Sequence, residues 1–467
     1  MNNSLNIVNF TELENVDSKK LTHRVLDHLQ KYKFFEFDNN NQKFRLEYVG
    51  LLISDNTLIR VYPKYIQNNK YSENDFKETL KVIKKFKKKN GDLDYEIDNN
   101  ENISFNIISI MIYLLEDYYE NGIYTNFQNL VKINGTGEIN WDKTINNNYP
   151  IIENNKPYYT EIYTNYKIND IYDYFHLLHE CILTECAKKL NDFDLLEVFD
   201  LAHVNLSEKS LEDFGDSDFI VAKIENELNV QFNSQKQKIL KFMKSYVSNK
   251  NLFSDKNSLI LYGVKKYQHI WEELCSDAFD SKLKTELDKL ILPKPLNDKY
   301  KSFKSMHDII GTPKWILNDE NKEKNAKLNK LKLDLIVIHN NTFIIFDAKY
   351  YDLIFEKKKK ISGQPGIQDI AKQYLYQIAL NEFIKDHCFE YIVNALLFPK
   401  YEGEIENKGI VKLDMFKCLN KIQVIMLPAN KLNKLYLCED EKEKLEFKLD
   451  LLNMLERSKL NNEKYLC

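Results

Sequence analysis

The feature that most constrains this chain is residues 331–351, which read LKLDLIVIHNNTFIIFDAKYY. Two apolar runs flank His339-Asn340-Asn341. Asparagine is common in tight hairpin turns, and short apolar runs bounded by turn residues are typical of buried strands. The segment therefore predicts a hairpin of two core strands, over residues 331–338 and 342–348.

Charged residues interrupt this apolar segment at three places. Asp334 lies near the start of the first predicted strand, and Asp347 and Lys349 lie at the end of the second. Because alternate side chains of a strand point to one face, Asp347 and Lys349 should project the same way. An antiparallel partner strand can bring Asp334 alongside them. The pattern predicts two carboxylates and an ammonium at one edge of a sheet.

Such a group suits metal-dependent hydrolysis of a phosphodiester. Asp334, Asp347 and the carbonyl oxygen of Ala348 are hard oxygen ligands of the kind that Mg²⁺ prefers. The metal stabilises charge on the phosphate and activates a water, and Lys349 can orient that water and help it lose a proton. The alternative is a strand that ends in a surface ion pair. The tripeptide Asp-x-Lys also occurs in polar surroundings at Asp17/Lys19, Asp75/Lys77, Asp280/Lys282 and Asp440/Lys442.

The surrounding pattern indicates an α/β fold. Helices are predicted over 265–280 and 367–385 and a further strand over 391–398, an order typical of a mixed sheet flanked by helices. A polar stretch at 230–258 marks a soft boundary near residue 240. We therefore expect an α+β N-terminal region over 1–240 and the catalytic domain over 241–467.

Composition narrows the class of protein. The 467-residue chain has a net charge of −4, which disfavours a protein that coats DNA but allows an enzyme with a local basic groove. Its seven cysteines include no CxxC pair and are expected to be reduced thiols. With no signal pattern and no apolar run near the ~20 residues that span a membrane, we expect a cytoplasmic protein without a membrane partner. His176 and His179 lack partner ligands and are expected to be structural.

Several motifs resemble known nucleases. LDLIVI and FDAKYY resemble motifs II and III of the PD-(D/E)XK nucleases, with Leu333 where proline usually stands. More specifically, the chain resembles LlaJI-family restriction endonucleases in YVGLL…VYPKY (48–65), NGTGEINWDKTI (134–145), YGVKKYQHIWEELC (262–275), DAKYY (347–351) and QDIAKQYLYQIAL (368–380). The first and last of these segments also resemble the McrC subunit of the McrBC restriction system. The resemblance implies a PD-(D/E)XK core.

The resemblance also implies supporting residues on two helices. Glu272 matches the acidic helix residue that many of these nucleases add to the metal site, although a solvated helix face would show the same pattern. Gln373 matches a polar residue that faces the active centre. Tyr376 and Gln377 are weaker candidates on the same helix, which could otherwise be an ordinary packed helix.

The basic run Lys357, Lys358, Lys359 and Lys360 follows the second strand closely. Such a loop could bind the DNA backbone through phosphate contacts, which position a protein without specifying a sequence. Charge runs are also common in solvated loops, and only the proximity of this one to Lys349 favours the DNA contact.

The resemblance implies a type II restriction endonuclease that hydrolyses double-stranded DNA with Mg²⁺ at a specific sequence. Its partners would be a cognate DNA methyltransferase and a second copy of the chain, since one centre cuts one strand. The alternative is a McrC-like nuclease subunit that depends on a McrB-like GTPase. The chain contains no GxxxxGK[ST] loop, so that motor would be another chain. A third class, a non-catalytic binding protein with a decayed nuclease fold, is disfavoured by the intact Asp334, Asp347 and Lys349.

In either nuclease reading, residues 1–240 are expected to read bases or to engage the partner.

Overall fold

A computed structural model describes residues 6–31, 35–38, 43–54, 57–66, 71–90, 107–253, 259–311, 314–316, 323–325, 331–354, 361–416 and 419–459. The chain forms two compact units. Unit 1 combines Met1–Glu96 with Gly263–Cys467, and unit 2 is Ile97–Tyr262. Unit 1 groups the N-terminal segment with the C-terminal part of the chain, whereas the sequence pattern predicts a single boundary near residue 240.

The described part of the chain contains both strands and helices. The strands are β1 (Asn6–Thr11), β2 (Val16–Asp17), β3 (Phe35–Asp38), β4 (Lys43–Leu46), β5 (Val49–Ser54), β6 (Thr57–Tyr62), β7 (Asn126–Ile133), β8 (Glu138–Ile139), β9 (Ile151–Glu153), β10 (Lys156–Tyr158), β11 (Tyr163–Asp170), β12 (Ile260–Val264), β13 (Lys314–Ile316), β14 (Glu323–Asn325), β15 (Leu335–His339), β16 (Thr342–Ala348), β17 (Tyr391–Lys400), β18 (Glu406–Val411) and β19 (Ile422–Pro428). The α-helices are α1 (His23–Lys31), α2 (Glu73–Asn90), α3 (Ile107–Asn121), α4 (Trp141–Asn147), α5 (Tyr174–Asp192), α6 (Leu195–Val198), α7 (Ser217–Val230), α8 (Ser234–Asn249), α9 (Gln268–Ala278), α10 (Met306–Ile309), α11 (Ile367–Asp386), α12 (Ala429–Leu437) and α13 (Glu441–Lys459).

The largest sheet of unit 1 has the strand order β15-β16-β17-β19-β18. Strands β15 and β16 form the antiparallel hairpin predicted from the sequence, with Leu335 opposite Phe346 and His339 opposite Thr342. Strand β16 is parallel to β17, and α11 makes the crossover between them. Strand β17 is parallel to β19, whereas β18 and β19 are antiparallel. The observed fold is therefore a mixed α/β sheet, as expected for the catalytic region.

Strand β16 is buried along its whole length. Phe343 and Ile345 belong to a core cluster that includes Leu380 and Phe383 of α11. Phe346, the next residue of β16, packs against Phe279, which directly follows α9, with ring centroids 5.8 Å apart. Both faces of β16 are thus covered, which explains why this strand reads as a continuous apolar run instead of an alternating one.

The N-terminal segment of unit 1 contributes strands β1, β5 and β6 to a second sheet. Strands β5 and β6 form the predicted hairpin, with Ser54 opposite Thr57, while β1 lies parallel to β6. Helix α2 packs on α9 and α12, and Lys89 at its end lies 2.5 Å from the Glu273 carboxylate of α9. These contacts hold helix α2 to the C-terminal part of the unit.

Unit 2 combines helices α3 to α8 with a small sheet of order β7-β11-β8 and the β9–β10 hairpin. His176 and His179 both contact the backbone of Tyr124: His179 Nδ1 accepts the Tyr124 N–H at 2.9 Å, and His176 Nδ1 lies 3.1 Å from the Tyr124 carbonyl oxygen. Burial lowers the pKa of His179 to about 3, aided by His176. These contacts agree with the structural role expected for the two histidines.

The length and apolar character of these helices can be compared with what a membrane span requires. Within the ranges described above, none of them is both long and apolar enough to cross a bilayer.

The β15–β16 turn generates a prediction about stability. Asn340 has a positive φ of 50°, a conformation that asparagine and glycine adopt easily and β-branched residues do not. Asn340→Val should therefore lower the free energy of unfolding by about 1–2 kcal/mol, whereas Asn340→Gly should be nearly neutral. Urea unfolding of both variants provides the measurement. Equal stability of the two would show that the turn does not need this conformation.

Candidate active site

Asp347 lies at the end of β16 and is almost completely buried, with 1% of its surface exposed. Asp347 is the residue before the last one of β16, and it pairs in register with Leu396 of β17. The apolar run Phe343–Phe346 thus carries a carboxylate into the interior. A buried carboxylate requires a compensating charge or hydrogen bond, because desolvation of its charge is costly.

Asp334 directly precedes β15 and meets the end of β16. The backbone N–H of Ala348 donates a hydrogen bond to Asp334 Oδ2 at 3.0 Å. The pKa of Asp334 is raised to about 8, chiefly by burial and then by the negative charges of Asp347 and Glu272, together with a hydrogen bond to Asp347. Burial and the negative charge of Asp347 therefore both disfavour ionisation of Asp334.

Lys349 supplies the positive charge beside this pair. Its Nζ lies 2.8 Å from Asp347 Oδ2 and 3.1 Å from Asp369 Oδ1. Burial lowers the pKa of Lys349, but the charges of Asp347 and Asp369 and their hydrogen bonds outweigh burial and raise it above its ordinary value. Lys349 is thus an ammonium that donates hydrogen bonds, and it is poorly suited to accept a proton itself.

Asp369 is a residue that the sequence reasoning missed. It lies in the first turn of α11, where its second oxygen accepts a hydrogen bond from the Tyr351 hydroxyl at 3.0 Å. Its position one helical turn before Gln373 places both residues on one side of the helix, and that spacing was the available signal. Asp369 therefore anchors both Lys349 and Tyr351 to α11.

Glu272 on α9 lies close enough for its charge to raise the pKa of Asp334. Its carboxylate is 3.3 Å from His269 Nδ1 on the same helix, so part of its hydrogen bonding is local. Helix α9 is fixed beside the strand ends by Trp271, whose Nε1–H donates to the Leu397 carbonyl oxygen at 3.2 Å. The structure therefore brings Glu272 near the aspartate pair.

Gln373 and Tyr376 on α11 contact the backbone around the site. The Gln373 side-chain amide donates to the Ile345 carbonyl oxygen of β16 at 3.0 Å, and the Tyr376 hydroxyl donates to the Lys332 carbonyl oxygen. Burial raises the pKa of Tyr376, with further contributions from Asp347 and Asp334. These two side chains brace the strand and the residues before Asp334. Gln377 instead donates to Asn420 Oδ1 at 3.1 Å.

The predicted basic loop, Lys357 to Lys360, lies outside the described residues. Among the residues that are described, no group of three or more His, Cys, Asp or Glu side chains is arranged to hold a metal ion. Glu272 accordingly does not complete a three-carboxylate cluster with Asp334 and Asp347. The direct site consists of the buried Asp347 carboxylate, the half-buried Asp334 carboxylate and the Lys349 ammonium.

Comparison with known proteins gives the family. The family model described as LlaJI restriction endonuclease matches residues 48–430. The chain belongs to the LlaJI restriction endonuclease family. A curated relative from Bacillus subtilis (strain 168), the type II restriction enzyme BsuMI component YdjA, is 29% identical over 425 residues, covering 88% of this chain and 84% of the relative.

Two solved structures are distantly similar. One is a half-complex of Thermococcus gammatolerans McrB AAA+ hexamers with bound McrC, at a TM-score of 0.38 and 12% identity over 96% of this chain and 100% of that chain. The other is the McrBC complex of the same organism, at a TM-score of 0.25 and 12% identity over 57% of this chain and 84% of that chain. At these TM-scores, neither likeness carries a conclusion about this LlaJI-family chain.

The donor set of this LlaJI-family site fits a divalent cation. The two carboxylates have the Lys349 ammonium and the Ala348 N–H as partners, while burial and neighbouring negative charges raise the pKa of Asp334. A small cation that takes oxygen ligands would offset this negative charge. Asp334, Asp347 and the Ala348 carbonyl are the residues that could hold Mg²⁺.

The raised pKa of Asp334 generates a prediction about stability without metal. Its folded-state pKa of about 8 exceeds the ordinary value of 3.8, so the folded state retains a proton that the unfolded chain releases. Stability should fall as pH rises from about 4 to about 8. Asp334→Asn removes this titration, so in EDTA its melting temperature should gain on the wild type as pH rises from about 5 to about 8.

Asp386→Asn is the matched control. Hydrogen bonds from Lys299 and then Tyr300 lower the pKa of Asp386, so this substitution should bring no gain as pH rises. Thermal melts across the pH range compare the three proteins. If the difference in melting temperature between the wild type and Asp334→Asn is the same at every pH, the pKa of Asp334 is not raised in the folded state.

Proposed function

We propose that this LlaJI-family chain is a type II restriction endonuclease with a PD-(D/E)XK core that hydrolyses double-stranded DNA at a specific sequence with Mg²⁺. The observation that carries the proposal is the buried Asp347 carboxylate at the end of β16, beside the half-buried Asp334, with Lys349 salt-bridged to Asp347. A solvated surface ion pair, the alternative raised by the sequence, would not bury Asp347 to 1% exposure.

Each residue has a distinct part in the proposed reaction. Asp334 and Asp347 would hold the cation, with the Ala348 carbonyl as a third ligand. When bound, Mg²⁺ supplies positive charge beside the scissile phosphate and lowers the pKa of a water molecule. Lys349, kept protonated by Asp347 and Asp369, donates hydrogen bonds that orient the water and the phosphate oxygen.

Helix α9 and the basic loop have supporting parts. Glu272 adds negative charge beside Asp334 and favours cation binding there without completing the ligand set. Lys357, Lys358, Lys359 and Lys360 would contact phosphates along the DNA backbone and add affinity without specificity. Base reading belongs, in this proposal, to the first 240 residues.

Substitution of the central residues tests the proposal. Asp347→Asn and Lys349→Met should each reduce DNA cleavage by about 10²–10⁴-fold, since the first removes a metal ligand and the second an oriented donor. Plasmid digestion with Mg²⁺ provides the measurement, and circular dichroism checks folding. Near-wild-type cutting by either folded variant would contradict the assignment.

Lys282→Met is the matched control for this experiment. Lys282 belongs to another Asp-x-Lys tripeptide and pairs with Asp280 at 2.7 Å, but this pair is more exposed, with 59% of the Asp280 side chain accessible. Removing the Lys282 ammonium should leave cleavage unchanged. A similar loss in both lysine variants would indicate a general effect of charge on DNA binding.

A second candidate function is a nuclease subunit that requires a McrB-like GTPase. The name of the Bacillus subtilis relative favours a subunit that works with another chain, because that protein is one component of its restriction enzyme. We therefore expect digestion with Mg²⁺ alone to separate the two candidates from each other. Cutting without any partner supports the self-sufficient enzyme, and cutting only when the cognate GTPase and GTP are added supports the subunit.

A further inference from the structure

Residues 63–65 connect the N-terminal sheet to the candidate active site. Pro63, Lys64 and Tyr65 form a turn directly after β6, closed by a hydrogen bond from the Ile66 N–H to the Pro63 carbonyl oxygen. The Lys64 backbone N–H donates to the Tyr350 hydroxyl at 3.1 Å. Tyr350 follows Lys349 directly in the chain, so the turn is held against the segment that carries the active-site lysine.

Tyr350 is the centre of a buried cluster that fixes this turn. Its hydroxyl donates to Glu12 Oε2 at 2.7 Å, and Glu12 is itself only 7% exposed. The Tyr350 ring packs against the rings of Tyr65 and Tyr267, at centroid distances of 6.3 and 5.5 Å. Contacts on both the hydroxyl and the ring leave the Lys64 backbone little freedom to move relative to residues 349–351.

The Lys64 side chain extends over the same segment. Its ammonium lies 4.1 Å from the centre of the Tyr350 ring and 5.8 Å from that of the Tyr351 ring. The Tyr351 hydroxyl bonds to Asp369, whose other oxygen binds Lys349. Two ammonium groups therefore adjoin Tyr351, Lys64 on its ring and Lys349 through Asp369.

The ammonium groups of Lys349 and Lys64 differ in the number of carboxylates that bind them. Lys349 has two carboxylate partners, whereas the part of the chain that the structure describes places no carboxylate within salt-bridge distance of the half-buried Lys64 ammonium. Burial lowers the pKa of Lys64, and the more distant charges of Glu12 and Asp352 oppose that effect. A lysine ammonium on an aromatic surface, with one side still accessible, is a suitable point charge for a phosphate oxygen.

We propose that Lys64 is a DNA-binding residue that contacts a backbone phosphate adjoining the cleavage site. The inference rests on the proposed nuclease function and adds a residue from the N-terminal part of the chain to the substrate-binding surface. Because the contact is to a phosphate, Lys64 should contribute affinity on every sequence and no base preference. It also assigns a role in binding to the VYPKY segment, which has no chemical motif of its own.

The experiment measures binding of a duplex oligonucleotide of mixed sequence to the full chain in EDTA, over a range of salt concentrations. Lys64→Met keeps the apolar stem but removes the charge, so affinity should fall about fivefold near 0.1 M salt and the slope of log K against log salt should become shallower by about 0.9. Lys64→Arg keeps both charge and ring contact and should retain the wild-type slope. Melting temperatures of both variants separate loss of binding from loss of folding.

Lys431→Met is the matched control, because Lys431 is a half-buried lysine whose ammonium lies 5.1 Å from the centre of the Phe447 ring. It should leave affinity and slope unchanged. A folded Lys64→Met variant with the wild-type slope would overturn the proposal while leaving the nuclease function standing. Absence of both DNA binding and cleavage in the wild-type chain would instead refute the proposed function, and the Lys64 contact with it.

Discussion

Repulsion between two carboxylates at the end of a buried strand is the constraint on which the candidate site depends. Asp347 is almost completely buried and Asp334 is half-buried, and burial together with the charge of Asp347 raises the pKa of Asp334. Their neighbours offset part of the cost: the Ala348 N–H binds Asp334, and Lys349 binds Asp347. In the proposed function, a divalent cation offsets the remaining cost.

The fold supplies the surroundings of this pair from distant parts of the chain. Helix α11 contributes Asp369 to hold Lys349, and Gln373 and Tyr376 to brace the backbone. Helix α9 contributes Glu272 and is anchored to β17 through Trp271. The strands of the hairpin carry the reactive groups, and the helices on either side determine how those groups are compensated.

Residues 1–96 are part of the same compact unit as the catalytic strands. The Glu12–Tyr350 hydrogen bond and the turn at Lys64 join them to the segment that follows β16. Residues 1–96 therefore do not form a compact unit separate from the strands of the candidate site. Membership of the LlaJI family extends across this junction, since the match begins at residue 48.

The sequence by itself determined the hairpin, the α/β character and the proximity of Asp334, Asp347 and Lys349. Local rules suffice for these: apolar runs of strand length, asparagines at a turn, and the alternation that sets Asp347 and Lys349 on one face. The tertiary structure alone decided which groups compensate them. Asp369, Glu12 and Lys64 are ordinary charged residues in the sequence, separated from Lys349 by 20 to more than 300 positions. Their roles depend on packing between elements, because a charge acquires its role from the partners that burial and chain topology bring within a few ångströms.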